Sequence, residues 1–534
     1  MCQRGFVIAK RRGRRARAAL AVLLLCVLSC SRPVAPAAPP GTVVIALESA
    51  PTVLDPRFTT DANSSLVSEL VSDGLTTNDA RGETVPALAE WRHPSPLEWQ
   101  FSLRPNVRFH DRTPLTAADV VATYRSTLDP ALGSPKREAL AAIAAVEAPD
   151  PKTIVFRLRE VSASFLESTS LGILPARLTA TGPVAPAAVV GTGPFRVAEP
   201  LAGGGIDLVP WAEAHDGAPR LARVRFRVVP DGIVRALELA NGGVHLVQNA
   251  LDPDLLPWLA ARPGLELLVS PGTTFQYLGM NLRDPRLADR RVRAGIAAGI
   301  DREAIVHHLL RDTATPATGL LPPSHWAYTD EVARHPYDPA RAAALLREAG
   351  LGPDADAALR RFSYKTSTVE LRRRIAEVFQ HDLEALGLGL DIRSYEWATF
   401  YEDIKRGNFD LYALAWVGVR DPDIYFRMFH STMRPPAGVN RGGYADPAMD
   451  DLVAAAHATE DRAERRRLYA EVQRRAAEDL PIVPLWWAEN VVVKHRALTG
   501  FAPAPDGSLR SLAGARFAEP ADQAPPGPRT SGAD

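Results

Sequence analysis

A 534-residue chain that confines all three of its cysteines, Cys2, Cys26 and Cys30, to its first thirty residues leaves the rest of itself without a disulfide. Whatever folds beyond Cys30 is held by buried apolar surface and hydrogen bonds, which a body of about 500 residues supplies without staples. The leader around those cysteines has its own logic. Arg4, Lys10, Arg11, Arg12, Arg14, Arg15 and Arg17 precede an unbroken apolar stretch from Ala18 to Leu28. That stretch is too short to span a bilayer but fits the hydrophobic region of a signal peptide, here residues 1–29.

The tetrad Val27-Leu28-Ser29-Cys30 resembles a bacterial lipobox. The resemblance implies that Cys30 becomes the lipid-bearing first residue of the mature chain, whereas an ordinary secretory cut nearby leaves it a plain thiol. Each buried methylene is worth about 0.8 kcal/mol, so one acyl chain holds marginally and the several chains of such a lipoprotein hold firmly. Residues 30–41, with SRPVAPAAPP after the cysteine, read as an extended tether between membrane and folded body. No later segment is long and apolar enough for a transmembrane helix.

The chain carries 62 basic and 62 acidic side chains, but the seven basic residues named above belong to the leader and no acid precedes Glu48. Without them, 55 basic side chains face 62 acidic ones, a formal −7. A nucleic-acid partner needs a basic footprint, and this balance argues against one. Apolar content of 46% and charged content of 23% are ordinary for a globular α/β protein of more than one domain.

Alternation predicts strands at Thr42 to Leu47, Trp99 to Arg104, Thr153 to Arg159 and Arg223 to Val228; the arginines of the last read as one solvated sheet face. Asp338-Pro339, the run ARAAALLREA and Gly350 spell a capped helix. Further helices are expected over Val369–Leu386, Asp289–Leu310, Ala448–Ala456 and Arg462–Glu478. The proline-rich end, residues 516–534, reads as a disordered tail.

Catalytic signatures are scarce: the chain contains no HExxH, no phosphate loop, no GxGxxG after a strand and no GxSxG elbow. His307 and His308 are neighbours on a predicted helix, pointing about 100° apart, which does not suit chelation of one metal. His110-Asp111 could pair as a base and its orienting acid, but Asp111-Arg112-Thr113-Pro114 reads as a turn and Thr116 as the cap of a helix from Ala117. No catalytic residue, metal or cofactor is expected.

Residues 54 to 124 contain LDP at Leu54, DGLTTND at Asp73, VPALAEW at Val85 and WQFSLRPNVRFHDRTPLTAADVVATY. Later come VGTGPF from Val190, YLGMN from Tyr277, VRAGIAAGIDREAIV from Val292, YDPARAAALLREAG, DPDIYFRMFHS and NRGGYADPAMDDLV. This colinear series over residues 42 to 510 resembles the dipeptide/oligopeptide-binding family of bacterial extracytoplasmic solute-binding proteins, which deliver ligand to ABC importers. The resemblance implies an α/β, two-lobed periplasmic-binding-protein clamp with a discontinuous first lobe. Carried onto this chain, the first lobe spans 42–275, with 76–189 as an appended subdomain, and regains 485–515; the second lobe spans 276–484. Ligand lies between the lobes and is released unaltered.

The same resemblance places ligand near three second-lobe segments. Lys365-Thr366-Ser367-Thr368 lies between a strand and a helix N-terminus, suited to a carboxylate or carbonyl or simply to capping. Trp397, with Phe400 and Tyr401 close by, offers a cleft wall or internal packing. In the third, Trp416 to Asp423, peptide-binding relatives place an aspartate three positions after the tryptophan to hold the peptide's α-amino group. Here that position is Val419. A buried ammonium without a carboxylate partner costs several kcal/mol; Asp421 or Asp423 is the replacement after a local shift, or equally a cap of the helix that begins near Pro422, and Arg420 is the alternative, meeting a carboxylate or phosphate instead. Asn440, beside Arg441, is a further candidate, against a tight Gly-Gly turn; Tyr277 and Asn281 lie near the lobe crossing as hinge candidates.

The expectation is a monomeric, lipid-anchored periplasmic receptor that captures short peptides for an ABC transporter permease. Nickel chelates, haem, glutathione, opines and oligosaccharides are the alternative cargoes of such a clamp. An exported hydrolase is the reading from a different class.

Overall fold

The computed structural model describes residues 39–79 and 82–518. The expected signal peptide, the lipidation site Cys30, most of the tether and most of the expected tail, from residue 519, lie outside the described residues; Arg516–Phe517, expected at the start of that tail, instead pair as a strand with Leu498–Thr499. Residues 1–42 separate from the body that starts at Val43; within that unit, Thr42 N donates to Pro39 O in a turn.

An eleven-stranded mixed sheet runs through the body. Its order is Gly389–Tyr395, Arg361–Ser367, Leu411–Trp416, Leu265–Met280, Ile482–His495, Leu246–Gln248, Thr42–Leu47, Arg223–Val228, Ile206–Pro210 and Phe195–Pro200, with Ala314–Pro316 paired beside Ile482–His495. Arg361–Ser367 is parallel to both neighbours, and parallel strands need long crossovers. Helices Glu370–Glu384 and Trp397–Arg406 supply them. The two longest strands, Leu265–Met280 and Ile482–His495, pair antiparallel along almost their whole length and carry strands on both flanks. Their register shifts twice, between Gln276 and Tyr277 and between Ser270 and Thr274, and in the latter stretch a Cβ on Gly272 would lie 2.3 Å from Ala488 O. Only glycine lets the backbones approach that closely.

Among the described residues, buried apolar side chains gather into four clusters. One joins Val43, Ile45, Phe195 and Phe226 to Val492, Phe501 and Leu512 from near the other end of the chain. Two cover opposite faces of the second half of the sheet, because side chains alternate along a strand: Phe275 and Tyr277 point into one, Leu278 and Met280 into different company. The fourth fills the space between the antiparallel sheet Ala89–Ser95, Glu98–Leu103, Thr153–Leu158, Ile143–Asp150 and helix Ala117–Leu128. This α/β architecture is the clamp expected from the sequence.

Local signals explain the element ends. Asp338 accepts from Arg341 N ahead of helix Pro339–Glu348, and Gly350 takes φ 79° just past it. Thr116 and Asp119 form a capping box for Ala117–Leu128. The expected single helix over Asp289–Leu310 is instead divided into Arg290–Gly299, Arg302–Ala304 and a π-helical turn, Ile305–Leu309. Asp301 starts a new helix by accepting from Ala304 N, which periodicity alone does not announce. The arginine stripe also needs correcting. Arg223 and Arg225 both bond Asp207, whose side chain is wholly covered, so this face carries a cross-strand ion cluster rather than a solvated row.

His110 is consumed by the backbone. Gly191 N donates to its Nδ1 and its Nε2–H faces Gly193 O at 3.0 Å, which holds the imidazole neutral between two glycines of the VGTGPF segment. Burial pushes its pKa down further. A Cβ at Gly191 would lie 2.1 Å from Val71 O and one at Gly193 2.6 Å from Leu70 O. The Gly191→Val substitution is therefore expected to destabilise the first half by at least about 1–3 kcal/mol, read as a lower urea midpoint.

Candidate functional site

Strand Leu411–Trp416 ends where the backbone leaves the sheet, and the residues that follow form one wall of a cavity of about 740 Å³. That volume is typical of a small-molecule site. The opposite wall comes from residues earlier in the chain: Glu69 and Ser72, then Lys136, Phe165 and Glu167. A second chamber of about 370 Å³, lined by His93, Trp99, Trp326 and Arg462, shares Ser164, Glu167, Arg420 and Asp421 with the first. The two chambers meet at a waist made of those four residues.

Trp416, Arg420 and Asp421 thus come together on the cavity, as the sequence suggested. Trp416 carries Arg441 against its face, 5.2 Å from the ring centroid, and its Nε1–H has no hydrogen-bond partner among the described residues. Arg420 reaches back across the cleft: its Nη2 lies 2.8 Å from Asp506 and 3.9 Å from Glu69. Arg462 meets Glu83 and His93 meets Glu460 in the same sense, so the walls are bridged.

Asp421 and Asp423 are less available than the sequence implied. Arg465, 5% exposed, lies 2.7 Å from one and 2.9 Å from the other. Asp423 also accepts from His457 and Tyr469. Burial and the Asp423 charge push the Asp421 carboxyl up. At Asp423 burial pushes the same way, but the His457 hydrogen bond and the Arg465 charge outweigh it and hold the carboxyl at about 2. Val419 is buried in the core, with its N–H on Thr273 O.

The remaining candidates stand apart from the cavity. Lys365 is buried and its ammonium is taken by Asp403 at 2.5 Å. Thr366 and Ser367 are buried at the end of the same strand, and Ser367 Oγ has no partner among the described residues. Trp397 is half exposed, stacked on Tyr401 with Arg372 over its ring. Asn440 serves the turn: its amide donates to His430 O and Tyr444 O while its carbonyl accepts from Tyr444 N, leaving it no group for a ligand. Tyr277 and Asn281 lie beyond the register shifts, with Tyr277 Oη accepting from Arg441 and Asn281 donating to Phe409 O, so they brace the second half rather than the crossing. His307 is exposed beside Asp312, and no group of three metal-ligating side chains occurs among the described residues.

Residues 83–434 match the family described as bacterial extracellular solute-binding proteins, family 5, middle. The chain belongs to this family. Curated relatives of this family 5 protein include Di/tripeptide-binding protein 2 of Pseudomonas aeruginosa (strain UCBPP-PA14), 27% identical over 522 residues that cover 92% of this chain and 98% of that one. Glutathione-binding protein GsiB of Escherichia coli (strain K12) is 28% identical, covering 87% and 92%. Among solved structures, the oligopeptide-binding protein AppA of Bacillus subtilis, in complex with a nonapeptide, superposes with a TM-score of 0.80 over 90% of this chain and 99% of that one. At 24% identity this last likeness speaks for the fold alone. Among the described residues no helix is long and apolar enough to cross a membrane.

Sequence reasoning missed the opposite wall. Glu69, Lys136 and Glu167 sit in segments without motif or periodicity, and no sequence signal marks them. Only the fold brings them to face Trp416.

Proposed function

We propose that this family 5 protein is the receptor of an ABC importer, lipid-anchored through Cys30, that captures short peptides between its two halves and hands them on unaltered. The observation that supports it is the cavity walled from both halves, with Trp416 and Arg420 on one side and Glu69, Lys136 and Glu167 on the other. A guest there stabilises the bridged arrangement only through contacts with both walls. Trp416 supplies an apolar face, while the charged groups suit a guest bearing ends of both signs. In this reading the halves are 42–275 with 485–515 and 276–484.

Titration calorimetry with dipeptides and tripeptides is the test, with glutathione, an opine, a nickel chelate, haem and an oligosaccharide as competitors. Short peptides are expected to bind with a Kd of micromolar or tighter, about −8 kcal/mol. Tight binding of a neutral oligosaccharide with no peptide binding at all would retire the peptide reading.

A further inference from the structure

Most charges around the cleft are already spoken for, and the exceptions are informative. Arg420 is held by Asp506 and Glu69, Arg510 by Asp73 and Glu69, and Asp421 and Asp423 by Arg465 and His457. Glu167 lines both chambers at the waist, yet its carboxylate has no hydrogen-bond or ion-pair partner among the described residues. Lys136, on the same wall of the larger chamber, and Arg427, exposed on the wall opposite, make no ion pair among them, although Lys136 feels the charge of Glu69 and Arg427 that of Glu167. One carboxyl group without a partner therefore stands at the waist of a cavity that two cations without ion pairs also line.

Resting on the peptide reading, the geometry points to Glu167 as the acceptor of a guest's ammonium group, with Lys136 of the larger chamber facing its carboxylate end. Glu167 belongs to the short helix Phe165–Ser168 of the subdomain, so the acid would come from the wall opposite Val419. The chemistry selects a primary amine with an anionic far end, as in a short peptide with free termini.

The electrostatic surroundings agree. Glu167 faces Asp421, Asp423, Arg420 and Arg427 across the waist, with Arg465 and His457 behind the two aspartates. Burial, reinforced by the charge of Asp421, pushes its carboxyl up to about 7 in the empty cleft. An arriving ammonium favours the ionised form, so binding expels a proton. The sign follows: affinity for an ammonium is lost as pH falls below about 7, where Glu167 takes up its proton, and is lost again at higher pH as the guest's own α-amino group, ordinarily about 7.7–8.0, gives up its proton. His457 is a second titratable group behind the waist, its pKa lowered by burial but raised more by Asp423, and substitution of Glu167 separates the two.

The test is calorimetry on the full mature protein and its Glu167→Gln variant, with circular dichroism to confirm an unchanged fold. The probes are a dipeptide, its N-acetylated form and phenylalaninamide, at pH 6 and pH 8. Loss of a charge-assisted bond is worth roughly ten- to a hundredfold in affinity. Glu167→Gln is expected to weaken the free dipeptide and phenylalaninamide by that factor, to leave the acetylated form within about twofold, and to flatten the pH dependence. A free dipeptide that binds both proteins equally overturns the Glu167 assignment and leaves the peptide reading standing. Glu167-dependent binding of phenylalaninamide without any peptide binding supports the assignment and retires the peptide reading. If no ammonium-bearing probe binds wild type, both fall.

Discussion

Arg465→Met is expected to cost about 3–5 kcal/mol of stability, because it strips the shared partner from two buried carboxylates. Arg465 lies within 2.9 Å of both Asp421 and Asp423, and all three are largely shielded from water. Removing it leaves the two acids facing one another with only His457 and Tyr469 to help. The pH dependence identifies the cause. In the wild type, Asp423 is held at about 2, below its ordinary 3.8, so its contribution is present above the ordinary value and lost as pH falls toward 2. Without Arg465 both carboxyls rise, and mild acid relieves their repulsion. The gap between wild type and variant is expected to narrow by about 1 kcal/mol between pH 7.5 and pH 5, in urea unfolding followed by tryptophan fluorescence. A gap that stays constant or widens would show that the loss is one of packing alone.

Arg57→Leu should be as damaging, again by about 3–5 kcal/mol. The side chains of Arg57 and Asp55 are both fully covered, 2.7 Å apart. The guanidinium also donates to Thr179 O and to Ser126 Oγ, so it ties the first strand's loop to the subdomain. Asp55 keeps only backbone donors, such as Val184 N at 3.0 Å, once the arginine is gone. Pairing Arg57→Leu with Asp55→Leu removes the stranded charge and is expected to recover at least about 1 kcal/mol. Failure of the double variant to recover anything would assign the loss to the orphaned carbonyls instead.

Much of the architecture could be read from local chemistry. The strands Thr42–Leu47 and Arg223–Val228 begin and end where alternation places them, and Asp338 and Thr116 announce their helices by side-chain capping. Legibility stops where meaning depends on distant partners. The Arg223 and Arg225 stripe looked solvated because Asp207 comes from a neighbouring strand. From its segment Asn440 is open to a ligand contact or a tight Gly-Gly turn, and only its bonds to His430 and Tyr444 show that it serves the turn. On the cleft, Trp416, Arg420 and Asp421 could be named from their segment, but the facing wall of Glu69, Lys136 and Glu167 is assembled only by the tertiary fold.

Strand Ile482–His495 lies between Leu265–Met280 and Leu246–Gln248, and its neighbours Leu498, Phe501 and Leu512 finish the first core. During synthesis, neither half of the sheet can close until almost the last residues emerge from the ribosome. The large sheet thus stays unzipped along its middle until the last tenth of the chain arrives, whereas the four-stranded sheet, whose buried core draws on residues 75–173 alone, depends on nothing so late.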